Sequence, residues 1–153
     1  MMGVMISVNL KKRVTQLEQT IQFIHKTETY IRFQQIHLIN LYKIMSIDFP
    51  ALKFIDHCYK FLKSGMAYDQ SIEESLSNRA NISTLVPEDV KVIQSFLHSL
   101  GASDLEGQID HCNLHKKLLE ENLTKAQKIS SEKGKLYSTL GFFAGLSIAI
   151  FLF

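Results

Sequence analysis

Apolar residues recur three and four positions apart along nearly the whole chain, and that rhythm predicts helix after helix. Val14, Leu17, Ile21, Ile24 and Ile31 form the first stripe, with Glu28 filling its one gap. The spacing predicts a helix from about residue 10, suited to packing along another long helix. Glu28 then either snorkels at the edge of the seam or makes a buried specificity contact. The pattern blurs at Gln34-Gln35 and resumes with Leu38, Leu41 and Ile44, predicting a break and a second segment to about Met45. Asp48 is read as the cap of the next helix, with Pro50 in its first turn. That helix carries Leu52, Ile55, Tyr59 and Leu62 on one side and stops at Ser64-Gly65. A short helix over Asp69 to Ser77 turns Ile72 and Leu76 inward, and a polar connector with Asn78 and Asn81 follows.

Pro87-Glu88-Asp89 marks a helix start, with proline first and two acids at the positive end of the dipole. Val90, Ile93, Phe96, Leu97 and Leu100 make its apolar face, and Gly101 ends it. Ser103-x-x-Glu106 reads as a capping box that launches the last and longest helix. On it Leu105, Ile109, Cys112, Leu119, Leu123 and Ala126 keep the same rhythm, interrupted once by Lys116. Two such helices, one near each end of the chain, are expected to lie antiparallel with the middle helices across them.

The last stretch, Leu136 to Phe153, carries no charged side chain. At about 1.5 Å per residue it is roughly 27 Å long, against about 30 Å of bilayer hydrocarbon, so it is expected to span a membrane. Lys125, Lys128, Lys133 and Lys135 precede it and put the preceding bundle on the cytoplasmic side. Within it Gly141 and Gly145 form G-x-x-x-G, with Ala144 beside them, a spacing that lets two membrane helices approach closely. At the other end MMGVMISVNL is apolar but too short to cross a bilayer. It is an interfacial anchor, the end of a truncated membrane segment, or a buried first turn. The expected division is therefore an apolar remnant or anchor over 1–10, a helical bundle over 11–135, and a membrane helix over 136–153.

Composition adds little to this picture. The scarcity of proline and tryptophan and the lack of strand-period alternation favour an all-α fold, an antiparallel bundle of about five to six helices. A net charge of +2, with basic residues dispersed among acids, makes no case for nucleic acid. The two cysteines, Cys58 and Cys112, form neither a C-x-x-C nor a secreted disulfide framework, in keeping with a reducing compartment.

Candidate chemistry is sparse. His111 and His115 share a helix face with Cys112 nearby, but two helical ligands do not fill a zinc shell, and H-C-N-L-H lacks the glutamate of H-E-x-x-H. Cys112 falls on the apolar stripe and is read as a small buried hydrophobe. No nucleotide, dinucleotide or serine-hydrolase motif is present. The acid pairs Glu73-Glu74, Glu88-Asp89 and Glu120-Glu121 are placed at helix starts or on solvated faces. The expectation is a non-enzyme without metal, cofactor or small-molecule substrate, acting by contact. Two surfaces are candidates for that contact: the acids Asp104, Glu106 and Asp110, and the connector from Asn78 through Asn81 to Leu85.

The run Leu100-Gly101-Ala102-Ser103-Asp104-Leu105-Glu106-Gly107-Gln108 resembles the stage III sporulation protein AB family of endospore formers. So do the closing Lys135-Leu136-Tyr137-Ser138-Thr139-Leu140-Gly141-Phe142-Phe143-Ala144-Gly145-Leu146, the opening Arg13-Val14-x-x-Leu17, Thr29-Tyr30-Ile31-Arg32-Phe33, and Pro87-Glu88-Asp89. Two departures stand out: the family's full opening membrane segment is replaced by MMGVMISVNL, and its Thr-Pro-Leu-like break by Gln35-Ile36-His37-Leu38. The resemblance implies a mother-cell membrane component of the channel linking mother cell and forespore. It further implies a cytoplasmic domain similar to those of type II secretion F-type proteins. Its expected partners are other proteins of that complex, including its ATPase, together with membrane lipid and a second copy through the membrane helix. Rival readings are a membrane-anchored adaptor unrelated to a channel, and a membrane-bound enzyme.

Overall fold

The computed structural model describes residues 2–34 and 36–152, and their side chains from residue 7 on, apart from those at 145, 151 and 152. Six α-helices follow one another: α1 (Met2–Gln34), α2 (Leu38–Asp48), α3 (Lys53–Lys63), α4 (Tyr68–Ser77), α5 (Pro87–Ser99) and α6 (Leu105–Leu152). A single 3-10 turn (Arg79–Asn81) joins α4 to α5, and among the described residues there is no strand.

The two long helices make the most extensive contact in the molecule. They run antiparallel: Glu28 of α1 meets Lys116 of α6, while Arg13, earlier on α1, shares Asp89 with Asn122, later on α6. The shorter helices follow as neighbours, α2 on α3, α3 on α4, α4 on α5, and α5 back onto α6.

The seam of α1 differs from the stripe read in the sequence. Its buried positions are Arg13, Leu17, Thr20, Ile24 and Thr27, a strict alternation of four and three, whereas Val14, Ile21 and Glu28 flank it half-buried. Opposite lie Cys112, His115, Leu119 and Ala126. Small residues on both helices let the two backbones approach, so the threonines belong to the core. Thr20 keeps its hydroxyl satisfied within the helix, donating to the Gln16 carbonyl at 2.8 Å. Phe23 anchors the remaining helices, edge-on to Phe49, Phe54 and Phe96 at centroid distances of 6.1, 6.4 and 5.9 Å. Burial plus edge-to-face geometry makes this aromatic group the centre of the core.

Several helix ends fall elsewhere than predicted. The first helix starts at Met2 and not near residue 10, because nothing between Met2 and Lys11 stops a helix. Asp48 does not cap the helix that follows it. It is the last residue of α2 and pairs with Lys26 at 2.6 Å, while Leu52 is the residue before α3 and offers no side-chain cap. Pro50 therefore sits in the α2–α3 turn, ahead of α3. Nor does Ser103 cap α6. Asp104 does, its Oδ1 accepting the Gly107 amide at 3.1 Å, and the Ser103 hydroxyl is buried without a partner. Pro87 occupies the first position of α5, whose Val86 amide donates to Asp89 Oδ2 at 3.2 Å. Gly101, at φ +78°, closes α5 in the left-handed region that glycine enters without strain.

Helix α6 continues unbroken to Leu152. Past Lys135 it leaves the bundle: Leu136, Leu140, Phe142, Phe143, Leu146, Ile148 and Ile150 are all exposed. Among the described residues no helix is long and apolar enough to cross a membrane. The expected span over 136–153 takes in Phe153, outside the described residues, and draws no support from those that are described.

Candidate interaction surface

The buried polar chemistry sits where α1, α5 and α6 meet. Arg13 donates through Nε to Asp89 Oδ2 at 2.8 Å and through Nη2 to Oδ1 at 3.0 Å. Asn122 Nδ2 adds a third donor to Oδ1 at 3.0 Å. The Glu88-Asp89 pair lies at a helix start, as expected, but of the two only Glu88 is exposed and Asp89 is wholly buried. With the guanidinium, an amide and the helix backbone all donating to its two oxygens, the carboxylate is a clamp between three helices. The sequence offered one sign of it. Arg13 lies four residues before Leu17, on the seam itself, where a lone arginine needs a buried partner.

Glu28 and Lys116, the two polar interruptions of the stripes, meet each other at 2.6 Å. Arg32 bonds the other carboxylate oxygen at 2.9 Å. Burial works to raise the Glu28 pKa, but Lys116 and Arg32 outweigh it and hold it below the ordinary carboxylate value.

His115 and the two cysteines are absorbed by packing. His115 Nε2 meets the Ser95 hydroxyl at 3.1 Å and its Nδ1 the His111 carbonyl oxygen at 2.6 Å, with the ring edge-on to Phe96. Cys58 and Cys112 are free and buried, and burial pushes each thiol up to about 11. A thiol held that high is a poor nucleophile at neutral pH. Among the described residues no three His, Cys, Asp or Glu side chains gather in a way that could hold a metal ion.

Of the connector residues, Asn78 is exposed and Leu85 half-buried. Asn81 is not surface: it is 3% exposed, and its Nδ2 donates to the Ser75 carbonyl at 2.8 Å. Its own carbonyl accepts from Gln16 Nε2 at 3.3 Å, and Thr84 bonds the other end of the Gln16 amide. Asn81 therefore ties the connector to α4 and α1, and is removed from the contact candidates. A polar residue in a loop signals exposure only when the loop's backbone has other partners.

The acids at the start of α6 stand differently. Asp104, Glu106 and Asp110 are all exposed. Beside them Leu105, Gln108, Ile31 and Ile36 line a recess of about 300 Å³. Leu105 is 44% exposed, and Phe33, near the end of α1, is 74% exposed. The turn that presents this corner is tightly made. Gln108 Nε2 donates to the Ser103 carbonyl at 2.9 Å, and a Cβ on Gly107 would lie 2.8 Å from Ser103 Oγ and 2.9 Å from Asp104 Oδ1. Only glycine leaves room there for the Asp104 cap. At the far end of α6, Gly141 has open space where a Cβ would be and Ala144 is exposed, while the surroundings of Gly145 lie outside the described residues.

Against known families, the family model for stage III sporulation protein AB matches residues 1–153, the full chain. No curated protein and no solved structure matches it.

Proposed function

The chain belongs to the stage III sporulation protein AB family, and from that premise we propose a non-enzymatic, membrane-anchored component of the mother cell–forespore channel that couples the assembly to its cytoplasmic ATPase. In this reading the bundle over 11–135 faces the mother-cell cytoplasm, and the end of α6, over 136–153, lies in the mother-cell membrane. Gly141, Ala144 and Gly145 pack against another membrane helix there, in a second copy or a partner. The reading takes the bundle to be similar to type II secretion F-type cytoplasmic domains, by analogy of architecture.

One observation carries the proposal: the two ends of α6 have opposite surface chemistry. The last turns expose leucine, isoleucine and phenylalanine, preceded by Lys125, Lys128, Lys133 and Lys135. The first turns expose three acids beside a recess lined by Ile31, Ile36, Leu105 and Gln108. Exposed apolar side chains such as Leu105 and Phe33 beside charge are the usual make-up of a protein-binding patch, and here the acids select a basic partner.

The test is binding of the complex's ATPase to the full chain in neutral detergent micelles. Glu106→Lys with Asp110→Lys is the variant to compare, Asp104 being kept because it caps α6. Reversing two of these charges is expected to weaken binding more than about tenfold while melting stays unchanged. Undiminished binding, or none by the wild type, would overturn the coupling role.

A further inference from the structure

On the flank of the bundle, α1, the start of α3 and the connector after α4 enclose a groove of about 460 Å³. Lys11 and Lys12 of α1 and Lys53 of α3 line it, together with Thr15, Ser83 and Val8. Ser83 is also a wall of a second groove, which carries Arg79 and Lys91. No carboxylate lines either groove, and among the described residues none of these five cations is in an ion pair. In a chain whose net charge is only +2, five cations lining two adjoining grooves are a local concentration of charge. Like charges brought together without counter-ions repel, and an anion relieves that repulsion.

We propose that the Lys11–Lys12–Lys53 groove binds the phosphate of an anionic phospholipid headgroup. Its place in the fold selects that occupant. Because α1 and α6 are antiparallel and Arg13 is joined through Asp89 to Asn122, Val8 and Lys11 lie beside the part of α6 that carries Lys125 and Lys128. A few residues on, past Lys135, α6 carries no further charged side chain. Val8, 43% exposed, offers apolar surface next to the lysines. Phosphate with hydrocarbon attached meets both features. Recognition of phosphate stands on the groove alone; the choice of lipid over a free phosphate rests on the membrane reading given above.

The experiment uses the full chain in neutral detergent, titrated calorimetrically with dihexanoyl phosphatidylglycerol, dihexanoyl phosphatidylcholine and inorganic phosphate. The expected result is saturable binding of the glycerol lipid that fades with added salt, with little binding of the choline lipid. Lys11→Gln, Lys12→Gln and Lys53→Gln together should weaken it more than about tenfold, the scale for three surface lysines, with the melting curve unchanged. Inorganic phosphate binding as tightly as the glycerol lipid would identify free phosphate as the ligand of the same groove. Equal binding of both lipids, full binding by the triple variant, or polyglutamate bound while phosphate and lipid are not, would overturn the proposal. Flotation with pure phosphatidylcholine vesicles, in which no headgroup is anionic, tests the membrane reading separately.

Discussion

Asp89 shows how one residue joins three helices. Its carboxylate receives Arg13 from α1, Asn122 from α6 and the backbone that opens α5, at a depth where water does not compete. A buried ion pair of this kind contributes little compared with a well-packed apolar pair, yet removing one partner strands the other charge. Arg13→Met should therefore cost about 3–5 kcal/mol of stability. Adding Asp89→Asn to it should recover a large part of that loss, since no charge then stays buried. Urea unfolding of the full chain, followed by helical circular dichroism, measures both. Equal losses in the single and double variants would show that the pair acts through packing alone.

At the scale of elements, α4 is held against α5 by contacts that respond to pH. His98 of α5 meets Asp69 Oδ1 at 2.9 Å and Glu73 Oε1 at 3.1 Å, and Gln94 also bonds Glu73. Partial burial works to lower the His98 pKa, but the two carboxylates outweigh it and raise it above the ordinary 6.5. A raised folded pKa means stabilisation that is complete below the unfolded value and lost as pH climbs through the folded one. Melting curves across that range should show wild type above His98→Gln at pH 5 to 6, with the gap closing toward pH 8, on the scale where histidine titrates. A constant gap would assign the contact to packing. The elements themselves were legible in the sequence, because their rhythm of three and four is set by helix geometry. The break before Leu38, the short α4, and the Pro87 and Gly101 boundaries all follow from local chemistry. What local chemistry does not reveal is which polar residues a neighbour will satisfy. Asp89 and Asn81 are buried because their partners lie on other helices or across a turn, whereas Thr20, satisfied within its own helix, is buried by the packing of α6 against α1. Asp48 and Ser103 were read as caps for the same reason: residue type allows a cap, but the fold committed Asp48 to Lys26 and gave the α6 cap to Asp104. The acids at the start of α6 could be read because exposed charge needs no partner to be identified.

The whole molecule is a bundle on one half of a rod. Helix α6 holds the acidic corner at its first turn and the exposed apolar arm at its last, on one backbone without a hinge among its described residues. The two surfaces therefore share a rotational phase. A residue inserted between Ser131 and Leu136 would swing the arm by about 100° about the rod axis, because each residue of an α-helix turns by that angle. Seven inserted residues would add about two full turns and return the arm to within roughly 20° of its starting azimuth, although about 10 Å farther out. If the acidic corner and the arm engage their partners together, spore yield should fall with the insertion of one alanine and recover substantially with seven. Loss that grows steadily with length would mean that reach matters and azimuth does not. An unbroken helix thus makes angle, as well as distance, a property that the protein transmits.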